Sequence, residues 1–207
     1  MTVLLGAVIF WDFLSQAQRA VSVAFLEDVW ERNFLNIFVT PLRLSEFLTS
    51  TVILAFVRIV LVGVVMSLLG FIFYKFNLFQ FGLYLVPFML NLLAFGSAVG
   101  LFTTALILRY GTSAQVLAFG LLFLVQPFSA VFYPVSALPQ VVQWISYLLP
   151  PTYVFEGMRS VILTGTLPLN LLSGAVIANI IFLLVTIWYF YTSFAAVKVK
   201  GKLLKLD

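Results

Sequence analysis

Long apolar stretches constrain the fold of this chain more than any other feature of its sequence. Four stretches each hold the roughly 20 apolar residues that a helix needs to cross a ~30 Å hydrocarbon core. They lie at about 51–74, 81–108, 114–132 and 169–197, and a more polar fifth stretch lies at about 1–26. With 63% apolar and 9% charged residues, a soluble domain could not bury this surface. We therefore predict an all-α membrane helix bundle with five spans, a single transmembrane domain over residues 1–207.

Two absent residue types narrow the chemistry of the chain. The sequence contains no His and no Cys, which excludes a Ser-His-Asp triad, ligation of a metal or haem by His, a thiol nucleophile and a disulfide. It also lacks the G-x-x-x-x-G-K-[ST] pattern of a phosphate-binding loop. We predict no catalytic, cofactor or metal site in this chain. The net charge of +4 is interpreted as a signal of membrane orientation, not of nucleic-acid binding.

Basic residues are concentrated in alternate connections between the predicted spans. The first connection, the third connection and the C-terminal tail contain Arg32, Arg43, Arg109, Lys198, Lys200, Lys202 and Lys205. The connections on the other side contain Lys75 and Arg159. Because cytoplasmic connections are enriched in Lys and Arg, we predict a cytoplasmic C-terminus and an external first residue. The expected location is the cell inner or plasma membrane.

The connection at 27–46 has the pattern of a short amphipathic helix. Trp30 and Phe34 recur at helical spacing, and Pro41 ends the pattern because proline disfavours helical geometry in the residue before it. The rest of the helical wheel carries the charged residues Asp28, Glu31 and Arg32, and Glu27 begins the segment. An apolar stripe beside a charged face is typical of a helix at the cytoplasmic membrane interface.

The connection at 133–168 is rich in proline, and its apolar segments are too short to span a bilayer. Its prolines include Pro134, Pro139, Pro150 and Pro151. Such segments are typical of an external re-entrant or interfacial hairpin, in which Tyr153 suits the headgroup level. Glu156 and Arg159 are three residues apart on one helical face, a spacing that allows an ion pair. Two interpretations of this pair stay open: a local contact that orders the hairpin, and a gate at the outer mouth.

Few ionisable residues fall inside the predicted spans. Asp12 lies midway along the first span, and Arg58 lies about two turns into the second. Such residues are costly in hydrocarbon and are therefore functional candidates. The alternative is that Asp12 pairs with a polar neighbour and that Arg58 extends to the membrane surface. In the third span, Gly96 and Gly100 favour close helix packing over a ligand role.

Two segments of the sequence resemble the permease subunit of type-2 ABC exporters. The family's coupling region, an acidic amphipathic helix before a T-P-L turn, is similar to FLEDVWERNFLNIFVTPLRLSEFL. The family's external hairpin has F-Y-P, L-P, L-P-P-T-Y and E-G-M-R elements, in the order found in PFSAVFYPVSALPQVVQWISYLLPPTYVFEGMR. The five-span pattern and the basic tail complete a resemblance that covers nearly the whole chain.

The resemblance implies both a function and a set of partners. A permease of this family forms the substrate path as a dimer, here expected to be a homodimer, in the lipid bilayer. A separate ABC ATPase subunit binds the ATP and contacts the coupling helix at 27–46. The family has six spans, and this chain resembles it from the second span onward. We expect the native gene to encode roughly 40 to 60 further residues before Met1, enough for one more ~20-residue span and an interfacial helix.

Two other classes of function stay open from the sequence. An ATP-independent channel or secondary transporter would work alone, and it usually shows internal repeats or broken helices with ion ligands. An intramembrane enzyme without His or Cys would need Ser/Lys or carboxylate chemistry, and the spans contain no evident cluster of that kind. For an exporter, the apolar, aromatic-rich spans slightly favour an amphipathic or lipid-like cargo over a small ion.

Overall fold

The computed structural model describes residues 2–30, 44–74 and 83–199. Within these residues the chain is all-helical, which confirms the all-α part of the predicted fold class. Its seven α-helices are α1 (Thr2–Trp30), α2 (Leu44–Tyr74), α3 (Val86–Tyr110), α4 (Gln115–Val125), α5 (Gln140–Leu148), α6 (Pro150–Thr164) and α7 (Leu169–Val199). Short 3-10 turns flank α4 and precede α5, at Thr112–Ala114, Gln126–Phe128 and Val135–Ala137.

Proline and glycine set the ends of the helices in the hairpin. Pro150 and Pro151 occupy the first turn of α6, where a missing N–H costs nothing. Leu149 is extended (φ −94°, ψ 123°), the geometry favoured before proline, and it therefore separates α5 from α6. Gly165 ends α6 in the left-handed conformation (φ 69°, ψ 9°), and its N–H donates to Val161 O at 2.9 Å.

Helix α3 is the centre of the bundle. It contacts α1 on one side and α7 on another, and α6 packs across its first turns. Four of the five fully buried phenylalanines of the described residues belong to this junction: Phe88 and Phe95 of α3, Phe10 of α1 and Phe155 of α6. The core of the described part of the chain therefore lies where α1, α3 and α6 meet.

Helices α1 and α3 approach each other closely because α3 carries glycine at the contact. A Cβ on Gly96 would lie 2.8 Å from Leu14 O, and a Cβ on Gly100 would lie 2.7 Å from Val21 Cβ. No larger residue fits at these separations, which confirms that the two glycines serve helix packing.

Two described helices are long and apolar enough to cross a membrane. They run over Leu83–Tyr110 and Leu169–Lys198, and they contain α3 and α7. Helices α1 and α2 have 29 and 31 residues and overlap two further predicted spans. The total of five spans stays a prediction.

The predicted span at 114–132 differs from the helix in the structure. Helix α4 ends at Val125, and the chain continues as a 3-10 turn that contains Pro127. A proline inside an α-helix removes one backbone hydrogen bond and clashes with the preceding turn. The regular helix is therefore shorter than the apolar stretch that predicted it.

The described helices place the connections at two opposite ends of the bundle. At one end, the start of α1 contacts α6, since a Cβ on Gly6 would lie 3.3 Å from Met158 Sδ. At the other end, Ser45 of α2, Leu101 of α3 and Tyr191 of α7 line one cavity. The start of α2 thus lies towards the C-terminal halves of α3 and α7. The membrane side of each end stays a prediction.

Candidate functional site

A charged network joins α6 to the turn that follows α4. Arg159 Nη1 donates to Glu156 Oε1 at 2.9 Å, which confirms the predicted ion pair. The same Glu156 oxygen accepts the Val135 N–H at 2.7 Å, and Arg159 Nη2 donates to Ala130 O at 3.0 Å. The pair therefore binds two backbone groups of a segment more than 20 residues earlier in the chain.

Burial makes this network strong. The side chain of Arg159 is 13% exposed and that of Glu156 is 23% exposed, so solvent screens their attraction only weakly. Ala130 itself is fully buried and has φ 53°, a left-handed conformation that is costly for a residue with a Cβ. The hydrogen bond from Arg159 holds the carbonyl of this unusual residue. If the pair orders the hairpin, it must contact the backbone before α5, and these hydrogen bonds to Val135 and Ala130 do so. A gating role stays a prediction.

The remaining predicted hairpin residues lie at the turns and helix contacts of residues 133–168. Pro134 precedes the 3-10 turn at Val135–Ala137, and Pro139 precedes α5. Tyr153 Oη donates to Tyr147 O at 2.8 Å, which links α6 back to α5. Trp144 on α5 is 72% exposed, as a residue at the headgroup level should be. Two short helices joined by a bend are present, and their insertion into the outer leaflet stays a prediction.

Asp12 has a charged neighbour on its own helix. Arg19 Nη2 lies 3.8 Å from Asp12 Oδ1, two turns further along α1. This contact confirms that Asp12 pairs with a neighbour, and the sequence signal for the partner was the seven-residue spacing on one helical face. The second oxygen, Asp12 Oδ2, is buried and has no hydrogen-bond partner among the described residues. Arg58 lies in the middle of α2, and its side chain is outside the described part of the structure.

The predicted coupling residues fall partly outside the described residues. Glu27, Asp28 and Trp30 form the last turn of α1, which continues beyond the predicted boundary near residue 26. Neither Gly nor Pro occurs between residues 26 and 30 to stop the helix. Glu31, Arg32 and Phe34 lie outside the described residues, as does the predicted amphipathic helix beyond Trp30. Residues 44–46, the end of the predicted segment, form the start of α2.

A polar contact between α3 and α7 was missed by the sequence reasoning. Asn179 Nδ2 donates to Asn91 O and to Asn91 Oδ1, both at 2.9 Å. Asn179 is 3% exposed, so this contact is shielded inside the bundle. The available signal was an asparagine near the middle of each of two apolar spans, a residue type that commonly bonds across membrane helices.

Comparison with known families gives a match that covers most of the chain. The model of a family described as ABC-2 type transporter matches residues 2–163. The matched region extends from the start of α1 almost to the end of α6, and it includes both the hairpin network and the predicted coupling segment. A comparison with curated proteins found no match to the chain.

Proposed function

Because the chain belongs to the ABC-2 type transporter family, we propose that it is the permease subunit of an ATP-driven exporter. The family identifies a multi-pass membrane permease of an ABC-type transporter. In the proposed exporter, two copies of the chain enclose the substrate path. The match over residues 2–163 is the observation that carries this function.

Energy is proposed to come from a separate ABC ATPase that binds the nucleotide. The sequence of this chain has no phosphate-binding loop of its own. The predicted coupling segment offers acidic Glu27, Asp28 and Glu31 to basic groups on the ATPase, and Trp30 and Phe34 as apolar anchors. This arrangement requires the segment and the C-terminus to be cytoplasmic, in the inner or plasma membrane.

Helix α1 supports a mechanism in which motion at the coupling segment reaches the opposite end of the bundle. It is one helix of 29 residues, about 43 Å long. Its last turn contains part of the predicted coupling segment, and in its first half Trp11 lies against Phe155 of α6, with 6.5 Å between ring centroids. Since α1 also packs closely on α3, a displacement of its last turn would move it as a rigid element rather than bend it. ATP-driven closure of the ATPase would thereby tilt α1 and alternate access to the path.

Co-purification with a co-expressed ABC ATPase tests the proposed coupling. Glu31→Lys and Trp30→Ala should each reduce the recovered ATPase about tenfold, the effect of losing ~1.4 kcal/mol of binding. Ser113→Lys is the control, because it also introduces a lysine, at an exposed turn on the same predicted side. Equal recovery from all three variants would contradict the coupling assignment. Cargo flux through proteoliposomes that lack the ATPase would instead favour an ATP-independent channel or secondary transporter.

The cargo is proposed to be amphipathic or lipid-like. The apolar faces of α2 and α7 support this class, since a small ion would need charged or carbonyl ligands along its path. Export of a fluorescent lipid analogue by the reconstituted complex, compared with a fluorescent anion, distinguishes the two classes.

A further inference from the structure

One side of α1 is not covered by the described part of the bundle, and charged residues lie on it. Leu4 and Val8 are 49% and 51% exposed there, and the side chains of Asp12 and Arg19 further along the helix are 31% and 50% exposed. With Ser15, these residues recur at spacings of three and four, so they share one side of the helix. The opposite side packs on α3. We call the part formed by Asp12, Ser15 and Arg19 the polar face of α1.

The polar face lies at the middle of the membrane-spanning length. A Cβ on Gly96 would lie 2.8 Å from Leu14 O, so the middle of the polar face is level with Gly96. Gly96 is the 14th of the 28 residues of the apolar helix Leu83–Tyr110, which is long enough to cross a membrane. Asp12 and Arg19 therefore lie just before and just after the midpoint of that length.

Arg19 directs its charge towards the middle of the membrane and not to its surface. Arg19 Nη2 lies 3.8 Å from Asp12 Oδ1, towards the start of α1, whereas the nearer predicted surface lies towards the end of α1. This distance is too long for a hydrogen bond, and Arg19 makes no hydrogen bond to a described residue. Asp12 Oδ2 is buried and accepts none among the described residues. The two charges offset each other, but their hydrogen-bonding groups still lack partners.

Neither hydrocarbon nor direct contact with a second copy suits the polar face. The exposed residues of α7 between Val176 and Trp188 are all apolar, as a surface against hydrocarbon should be, whereas ionisable groups at this depth face water or a polar partner. Two copies inserted in the same orientation are related by an axis along the membrane normal, so a residue at their contact meets its own copy at the same depth. Direct contact would therefore bring Arg19 against Arg19 and Asp12 against Asp12, and like charges repel.

We propose that the polar face of α1 lines a water-filled section of the substrate path and binds the zwitterionic group of an amphipathic cargo. This inference rests on the proposed exporter function. The anionic oxygens of the cargo accept hydrogen bonds from the Arg19 guanidinium, and its ammonium group lies beside the Asp12 carboxylate. Because the ion pair has no net charge, a cargo group with one charge would leave that charge uncompensated at mid-depth. The apolar part of the cargo lies along Leu4 and Val8.

The reactivity of an introduced thiol tests whether water reaches the polar face. Ser15→Cys is close to isosteric, and the chain has no native Cys. Leu184→Cys is the control, because Leu184 is 64% exposed on α7 and lies at a similar depth, two residues after Phe182, which packs on Phe95. The purified full chain is placed in phosphatidylglycerol nanodiscs without the ATPase. A charged thiol reagent should modify the Ser15→Cys variant about tenfold faster, because the reactive thiolate is disfavoured in apolar surroundings.

Protection of the same thiol tests the class of cargo. The probe is dihexanoyl phosphatidylcholine below its micelle concentration, and at saturation it should slow modification of the Ser15→Cys variant about tenfold. Dihexanoyl phosphatidic acid and decyltrimethylammonium, which carry charge of one sign only, should not. Glycerophosphocholine, with the same zwitterionic group and no acyl chain, should protect less at equal concentration.

Variants of the ion pair test which residues bind the probe. Arg19→Gln should abolish the protection, whereas Lys198→Gln, at an exposed position near the end of α7, should retain it. Thermal unfolding shows whether each variant is folded. If Arg19→Gln is not, the double variant Asp12→Asn with Arg19→Gln provides the test, because it leaves no unpaired charge.

Four results would overturn the assignment. Modification of Ser15→Cys no faster than that of Leu184→Cys would mean that lipid or another polypeptide covers the polar face. Equal protection by the probes of single charge would remove the argument from charge, and so would protection that persists in a folded variant without the ion pair. Equal protection by glycerophosphocholine would mean a free zwitterion and not an amphipath. Each measurement omits the ATPase, so failure here is distinct from failure of the co-purification test.

Discussion

Removing one charge of the Glu156–Arg159 pair should destabilise the protein more than removing both. Of the ion pairs found among the described residues, only this one has both side chains less than a quarter exposed. In Glu156→Gln, the new amide oxygen can still accept the Val135 N–H, but Arg159 keeps its charge without a counter-ion. In Arg159→Met, Glu156 keeps its charge, and the Ala130 carbonyl loses its donor.

The magnitudes follow from the contacts in the network. Breaking a buried pair from one side costs about 3–5 kcal/mol, and the residual exposure of 13% and 23% places each single variant at about 2–4 kcal/mol. The double variant leaves no unpaired charge and retains the acceptor for Val135. Its cost is mainly the lost hydrogen bond to Ala130, about 1–2 kcal/mol. The double variant should therefore be more stable than either single variant.

Equilibrium unfolding in mixed micelles, with SDS as denaturant, measures these free energies. The 4 Trp residues of the chain provide a fluorescence signal. Lys198→Gln is the matched control, because it removes one charge from an exposed position at the end of α7 and should leave the unfolding midpoint unchanged.

Additivity would refute the reasoning. If the double variant loses as much stability as the two single variants together, the charges act independently and the pair does not order the hairpin. Single variants as stable as Lys198→Gln would show that the network contributes nothing to folding. A pair that affects transport but not stability would favour the gate interpretation.

Two further predictions concern packing and orientation. Gly96→Ala should lower the free energy of unfolding by about 1–3 kcal/mol in the same titration, because its Cβ would overlap α1. Gly120→Ala is the control, and it should be neutral or stabilising because nothing lies within 4 Å of its Cβ. Equal stabilities of the two variants would contradict the close contact between α1 and α3. Since the chain has no native Cys, Gln140→Cys should react with an impermeant thiol reagent from outside intact cells and Lys202→Cys should not; the reverse pattern would overturn the orientation and the cytoplasmic coupling segment.

Local sequence patterns were sufficient for the class of the protein and for its hairpin. Apolar length predicted the all-helical membrane bundle, and the family match supports the resemblance based on the coupling segment and the hairpin. The bend at Leu149 and the pairing of Glu156 with Arg159 were also predictable, because each depends on residues within one turn of a helix.

Contacts between distant segments were decided by the tertiary structure alone. The sequence predicts that Gly96 packs closely but not that its neighbour is Leu14, and it does not indicate that Glu156 binds the Val135 N–H. Asn91 and Asn179 are likewise polar residues 88 positions apart, and only the placement of α7 on α3 brings them together. The physical reason is that helical periodicity specifies which face of a helix is apolar, small or polar, while the partner of that face depends on how all the helices are arranged. The cavity lined by Ser45 of α2, Leu101 of α3 and Tyr191 of α7 also depends on that arrangement, because no single helix contains it.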